Sequence, residues 1–240
     1  MTAVAAAPKP SAADFRARNR GGGLFTETVN QRGGSLFAVA AHRLGLAPTV
    51  LTLLNLVIGA ATSVTVAALA ARMSAGSVPA VPVGLVALVG WHVAYSLDCA
   101  DGQLARVTGQ TSAAGARVDV LCDVAIQILL IASVSSVAVA YRPGTPTWLV
   151  AGFAGTWMVN LVTSVLQQGS SAQSLVTSTS PVVRLVKLVR DYGAVITVIA
   201  LVLAFLPGWT EWLMAVFTAI NGLFLLASIA AAARASMRRG

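Results

Sequence analysis

Residues 98–123 read DCADGQLARVTGQTSAAGARVDVLCD. They hold Asp98, Asp101, Asp119 and Asp123, half of the eight acidic residues in the 240-residue chain. With Gly102, Ala105, Arg106 and Gly115 the spacing is D-x2-D-G-x2-A-R-x8-G-x3-D-x3-D. What flanks this stretch decides the fold. Uncharged runs lie between Arg43 and Arg72, Arg72 and Asp98, Asp123 and Arg142, Arg142 and Arg184, Asp191 and Glu211, and Glu211 and Arg234. A helix crosses a bilayer with about 20 mostly apolar residues. The runs therefore predict six transmembrane helices, roughly 47–71, 79–104, 112–141, 146–168, 190–207 and 210–233. The bulk composition agrees: 57% hydrophobic, 10% charged, mean hydropathy +0.80. Alternating patterning with regular turn signals is absent, which argues against a membrane barrel.

The net charge of +8 does not point to nucleic acid, because no basic stripe is interleaved with aromatic residues. With six spans and both termini on one side, every Lys and Arg except Arg72 and Arg142 falls on that side. This is the positive-inside bias. It predicts a multi-pass protein of the cell membrane with cytoplasmic termini and the four aspartates at the cytoplasmic ends of the second and third spans. The basic fringe would attract anionic lipid head groups.

Residues 1–23 are rich in Ala, Pro, Gly and Arg and lack the apolar core of a signal peptide. They are expected to form a flexible cytoplasmic tail. Over 24–45, Phe25, Val29, Leu36, Val39, Ala40 and Leu44 recur near helical spacing. That predicts an amphipathic helix on the cytoplasmic leaflet, with Gly33 and Gly34 marking a break. Cys99 and Cys122 suit small packing positions rather than a disulfide framework or a zinc site. His42 is expected at the interface. His92 lies about two turns before Asp98 and is a minor candidate for the site.

A carboxylate beside hydrocarbon is kept only where something pairs with it. At 3.6 residues per turn Asp98 and Asp101 project within about 60° of each other, and Asp119 and Asp123 within about 40°. The turn from Val107 to Ser112, with Gly109, is short enough to predict that the second and third spans are antiparallel neighbours. Four converging carboxylates would repel strongly without cations between them. Oxygen-only ligands suit Mg²⁺ or Mn²⁺. Gly102, Ala105 and Gly115 leave room beside such ions, and the Arg106 guanidinium fits a phosphate or a nucleotide edge. Singly, these residues have plainer roles: an Asp as a helix–helix hydrogen-bond partner, a glycine as a packing position, an Arg as a topology marker. Together at this spacing they predict a catalytic site.

The eight-position pattern resembles the signature of the CDP-alcohol phosphotransferase family, with no departure at any specified position. The resemblance implies a membrane enzyme, usually homodimeric, that moves a substituted phosphate from a CDP-linked donor to an alcohol and releases CMP. It implies two divalent ions, Mg²⁺ or Mn²⁺, per active site. Asp98, Asp101 and Asp119 would hold one, and Asp98, Asp119 and Asp123 the other. Asp123 would also take the proton from the acceptor hydroxyl. Gly102, Ala105, Arg106, Ser112 and Gly115 would line the donor site. Members often read Pro-Asn-x-x-Thr at the start of the first span; here Pro48, Thr49 and Thr52 occupy the pattern, with Thr49 in place of the Asn, and the resemblance implies that Thr49 and Thr52 contact the donor. The chain would thus divide into the tail 1–23, the interfacial segment 24–45 and a six-helix catalytic domain 46–240.

The resemblance implies CDP-diacylglycerol or another CDP-linked alcohol as the donor. The acceptor stays open among glycerol phosphate, inositol phosphate, serine and a lipid such as phosphatidylglycerol. Arg117, Arg184, Lys187 and Arg190 are candidate contacts for an acceptor phosphate. Synthases with phosphorylated acceptors commonly carry a basic residue just after the last Asp, whereas here Val124-Ala125-Ile126-Gln127 follow. The rival class is an ion-coupled transporter or divalent-cation channel. That class places its acids near the midplane, in broken helices with repeated halves, and neither feature is visible here.

Overall fold

The computed structural model describes residues 9–19, 21–168 and 191–237. The helices are α1 (Ala12–Arg16), α2 (Leu24–Thr28), α3 (Asn30–Arg43), α4 (Pro48–Ser74), α5 (Ala80–Thr108), α6 (Ala113–Tyr141), α7 (Thr147–Gln168), α8 (Tyr192–Phe205) and α9 (Thr210–Met237). A single 3₁₀ turn, Pro207–Trp209, links the last two. No strand occurs among the described residues. Pro48 opens α4 at the position where its fixed φ and missing N–H are harmless. α5 stops at Gly109, whose φ of 70° is readily available to glycine, and Ser112 then caps α6 by accepting from the Gly115 N–H at 3.0 Å.

Among the described residues, four helices are long and apolar enough to cross a membrane: α4, α5, α6 and the stretch Pro207–Ala230, which takes in most of α9. The fourth and fifth expected spans coincide with α7 and α8. Their apolar described portions are shorter, Thr147–Val159 and Tyr192–Phe205. Fourteen residues, as in α8, reach roughly 21 Å, against a hydrocarbon thickness of about 30 Å.

α4 is the central strut. It packs against both α5 and α6, α3 and α8 cover other faces of α5, and α7 packs on α9. The larger apolar cluster joins Val66, Trp91, Leu130, Val134, Phe153, Ile196, Leu203 and Met214 from six helices. A second cluster joins Phe15, Ala38, Ala41, Leu51, Leu97, Ala100 and Leu104. α5 gives Val83, Ala87 and Trp91 to the first and Leu97, Ala100 and Leu104 to the second, so the aspartates begin where one core hands over to the other.

Three expectations are corrected here. α5 and α6 are joined by a short turn, but they do not pack along each other; each leans on α4 instead. The turn fixes only their ends, and the seam between them is left to carboxylates. Secondly, Gly33 and Gly34 do not interrupt α3. The break falls at Val29 (φ −108°, ψ −69°), between α2 and α3. A Cβ at Gly34 would lie 2.8 Å from the Ser96 carbonyl oxygen and 2.9 Å from Cys99 Cβ. Missing side chains there let α3 press onto the back of the aspartate-bearing turn of α5. Thirdly, residues 11–19 were expected within a flexible tail. Instead Ser11 and Asp14 form a reciprocal cap on α1, and Phe15 is fully buried. The Ser11 hydrogen bonds also hold the Asp14 carboxyl below its ordinary range.

Candidate active site

Asp98 and Asp101 lie in the last three turns of α5, Asp119 and Asp123 in the first three turns of α6. Across the seam, Asp98, Asp119 and Asp123 each present a carboxylate oxygen, and these oxygens all lie within 4.8 Å of one another. The Asp98 and Asp123 carboxyl groups are within hydrogen-bonding reach. Two carboxylates so close call for a shared proton or an intervening cation. Asp119 Oδ1 is buried and has no hydrogen-bond partner among the described residues. A buried acceptor without a donor is costly, and a cation removes that cost. The residues therefore fit a hard divalent ion bound by oxygen.

Asp101 stands beside this trio rather than within it. Its Oδ2 accepts from Thr52 Oγ1 on α4 at 2.5 Å, and both residues are buried. Thr52, expected as a donor-site residue, thus acts on Asp101 directly. Thr49 is exposed one turn earlier on α4, and Ser112 is exposed as the α6 cap. Ala105 and Gly115 are half-buried on the motif's two helices. The Arg106 guanidinium folds over Gly102: a Cβ there would meet Nη1 at 2.8 Å. Arg106 Nε donates to the Arg18 carbonyl at 2.6 Å, and the guanidinium is close enough to act electrostatically on Asp119. Arg117 is exposed in the second turn of α6. Arg184, Lys187 and Arg190 lie outside the described residues.

Other sequence candidates are used elsewhere. His92 does not join the aspartates; Nδ1 faces Asn30 Nδ2 at 3.0 Å and Nε2 faces Thr197 Oγ1 at 2.8 Å. His42 meets the Phe15 ring edge-on. Cys99 and Cys122 are free thiols. Gly59 and Ser63, small residues of α4, pack inside the chain. Gly59 faces Ile126, and Ser63 accepts from Trp91 Nε1 at 3.0 Å. Gly152 likewise faces Thr218.

Sequence reading missed Asp191. This buried carboxylate accepts from the backbone N–H groups of Phe25 and Thr26, from the Thr26 hydroxyl and from the Gly193 N–H. It therefore caps the N-termini of α2 and α8 at once. Half the signal was available, since an Asp immediately before an apolar run is a helix-start mark. Its second helix was not, because α2 lies 165 positions away. Behind the carboxylates, the rings of Tyr95 and Tyr192 meet edge-on at 4.8 Å, and Tyr192 is within electrostatic reach of Asp98 and Asp123.

A helical membrane protein with a cluster of carboxylates fit to hold a cation is the class these features define. A sequence model of the CDP-alcohol phosphatidyltransferase family matches residues 45–223, which include all eight motif positions, and the chain belongs to that family. It is accordingly a membrane transferase of phosphatidyl groups from a CDP-alcohol, in a family that uses divalent metal. No curated protein matches the chain in a sequence search.

Proposed function

We propose that the chain transfers a phosphatidyl group from CDP-diacylglycerol to an alcohol at the cytoplasmic face of the cell membrane, releasing CMP. The observation that carries the reading is the Asp98–Asp119–Asp123 trio with its orphaned Asp119 oxygen, inside a family match. Asp98, Asp119 and Asp123 would hold one Mg²⁺ or Mn²⁺, and Asp98, Asp101 and Asp119 a second. Such ions supply neutralisation of the donor pyrophosphate and of the charge that develops on departing CMP. Thr52 fixes the Asp101 carboxylate through its Oδ2. Arg106 pairs with the nucleotide end of the donor, and Gly102, Ala105, Ser112, Gly115 and Thr49 leave space or polar contacts beside it. Asp123 takes the acceptor's hydroxyl proton as that oxygen attacks phosphorus.

Six spans, α4 to α9, serve this chemistry, with both termini cytoplasmic. Two features support that placement. Trp148, Trp209 and Trp212 are exposed at the end of the bundle remote from the aspartates, beside the Arg142–Glu211 pair at 3.7 Å, as an interfacial aromatic belt would be. α3 buries its small and polar face (Asn30, Gln31, Gly34, Ser35, Ala38, Ala41) and turns Leu36 outward, as suits a helix lying in the leaflet surface. In this reading residues 46–240 form the catalytic domain, which works as a homodimer. Arg117 with Arg184, Lys187 and Arg190 would receive an acceptor phosphate where the acceptor carries one.

The test is release of CMP by purified protein in lipid, with CDP-diacylglycerol and a panel of alcohols that includes serine, glycerol phosphate, inositol phosphate and phosphatidylglycerol. One alcohol should raise CMP release far above the lipid-only rate. No stimulation by any, with the protein folded and the lipid donor exchanged for other CDP-alcohols, would sink the reading.

A further inference from the structure

α1, α2 and the first turn of α3 precede the family match, which begins at residue 45. They nonetheless reach the catalytic turn of α5 through side-chain amides. Gln103 is fully buried, and its Nε2 donates to Asn19 Oδ1 at 2.8 Å and to the Gln31 carbonyl at 3.0 Å. Asn19 Nδ2 in turn donates to Gln31 Oε1 at 2.7 Å, and Gln31 Nε2 to the Gly21 carbonyl at 2.8 Å. The Gln31 carbonyl can only accept, so the orientation of the Gln103 amide follows from the network itself. These bonds fix the chain on both sides of residue 20, and Phe15 anchors it a turn upstream in an apolar cluster with Leu97, Ala100 and Leu104.

The residue next to Asn19 is Arg18, whose carbonyl accepts from Arg106 Nε. On α5, Arg106 projects about 60° from Gln103 and about 40° from Gly102. It therefore straddles two faces of the helix: one bound by the N-terminal segment, the other bearing the carboxylates. A guanidinium has five donors. Committing Nε to Arg18 turns the terminal nitrogens over Gly102, toward Asp119. Gln31 and Gln103 are buried and hold Asn19, the residue next to Arg18, so that carbonyl is a fixed point rather than a mobile one.

We propose that Asn19, Gln31 and Gln103 are positioning residues for Arg106: they hold the Arg18 carbonyl where it aims the guanidinium at the phosphate or cytidine end of the donor. This rests on the donor role proposed for Arg106. The N-terminal segment is thus part of the donor site.

The measurement is a double-mutant cycle on the full chain in lipid, with Asn19→Ala, Arg106→Ala and the pair. Donor KM, acceptor KM, kcat and the dissociation constant of CMP are read for each. Asn19→Ala should raise donor KM and weaken CMP binding about three- to tenfold, the size of one lost hydrogen bond. The kcat, acceptor KM and thermal midpoint should stay near wild type. In the Arg106→Ala background the same change should add nothing. Gln103→Met, which keeps the volume and removes the donors, should reproduce the donor effect. If Arg106→Ala leaves donor KM and CMP binding untouched, the donor role of Arg106 fails. If Arg106→Ala weakens both while Asn19→Ala weakens neither, or if the two effects simply add, the positioning proposal is overturned. A uniform loss of activity with a lowered thermal midpoint in both Asn19→Ala and Gln103→Met would also overturn it, in favour of a purely structural role.

Discussion

The Thr52–Asp101 hydrogen bond joins a neutral donor on α4 to a carboxylate on α5, buried at both ends. Thr52→Val keeps the shape and removes the donor, leaving one Asp101 oxygen unpaired. Outer-shell partners of metal ligands are typically worth 10–100-fold in metal affinity. Titrating activity against Mg²⁺ should show the half-saturating concentration rise about tenfold or more, with the maximal rate recovered at high metal. A rate that stays low at saturation would assign Thr52 to chemistry instead. Asp123→Asn should behave in the opposite way. The amide can still accept a hydrogen bond but cannot take a proton. A positioned base is worth about 10²–10⁴-fold, so single-turnover rates should fall at least 100-fold while donor KM moves little. Near wild-type turnover would show that another group is the base. All four aspartates were legible from spacing, because their cost beside hydrocarbon makes them conspicuous. Thr52's partner was not, since that contact depends on how α4 crosses α5 rather than on any local pattern.

Among the elements, α3 shows where glycines mislead. Its apolar residues suggested a membrane-facing stripe and its glycines a break, yet the helix is continuous and the glycines are where it touches α5 most closely. A sequence gives the same letters for a glycine that breaks a helix and one that admits a neighbour. Position 34 can be tested directly. Gly34→Val would drive a branched side chain into the Ser96 carbonyl, a few ångströms behind Asp98. Overpacking of this kind costs about 1–3 kcal/mol, and the thermal midpoint in detergent should drop accordingly. Gly155→Ala is the contrast, because a Cβ there meets nothing within 4 Å. That variant should stay within about 0.5 kcal/mol of wild type. Equal midpoints for the two would show that the α3–α5 contact is looser than described.

For the molecule as a whole, the apolar runs made the helical membrane class plain, and the four longest spans follow the runs closely. What they did not disclose is that α5 and α6 meet through their carboxylates while their close backbone packing is on α4, since a short loop dictates proximity only at its own ends. The consequence is electrostatic. Four carboxylates share the seam with Arg106 as the nearest cation of the motif, an arrangement that a divalent ion stabilises by binding the folded state alone. Purified protein stripped with a chelator should therefore lose all turnover and also melt at lower temperature, and Mg²⁺ or Mn²⁺ should restore both. Full activity in excess chelator would remove the metal from the mechanism. An unchanged melting point with activity lost would confine the ion to chemistry.

Asp191 also bears on the order in which the protein is made. The carboxylate that caps α2 leaves the ribosome 165 residues after Thr26. By then α4, α5 and α6 have been synthesised, so the aspartates can already face one another across their seam. The N-terminal segment, although first to emerge, lacks its Asp191 cap at α2 until α8 arrives. A nascent chain arrested before residue 191 would carry every motif side chain and still lack the clasp that ties its beginning to its later half. In such a chain the start of α2 would be the last part of the N-terminal segment to settle, after the turn bearing Arg18 has met α5.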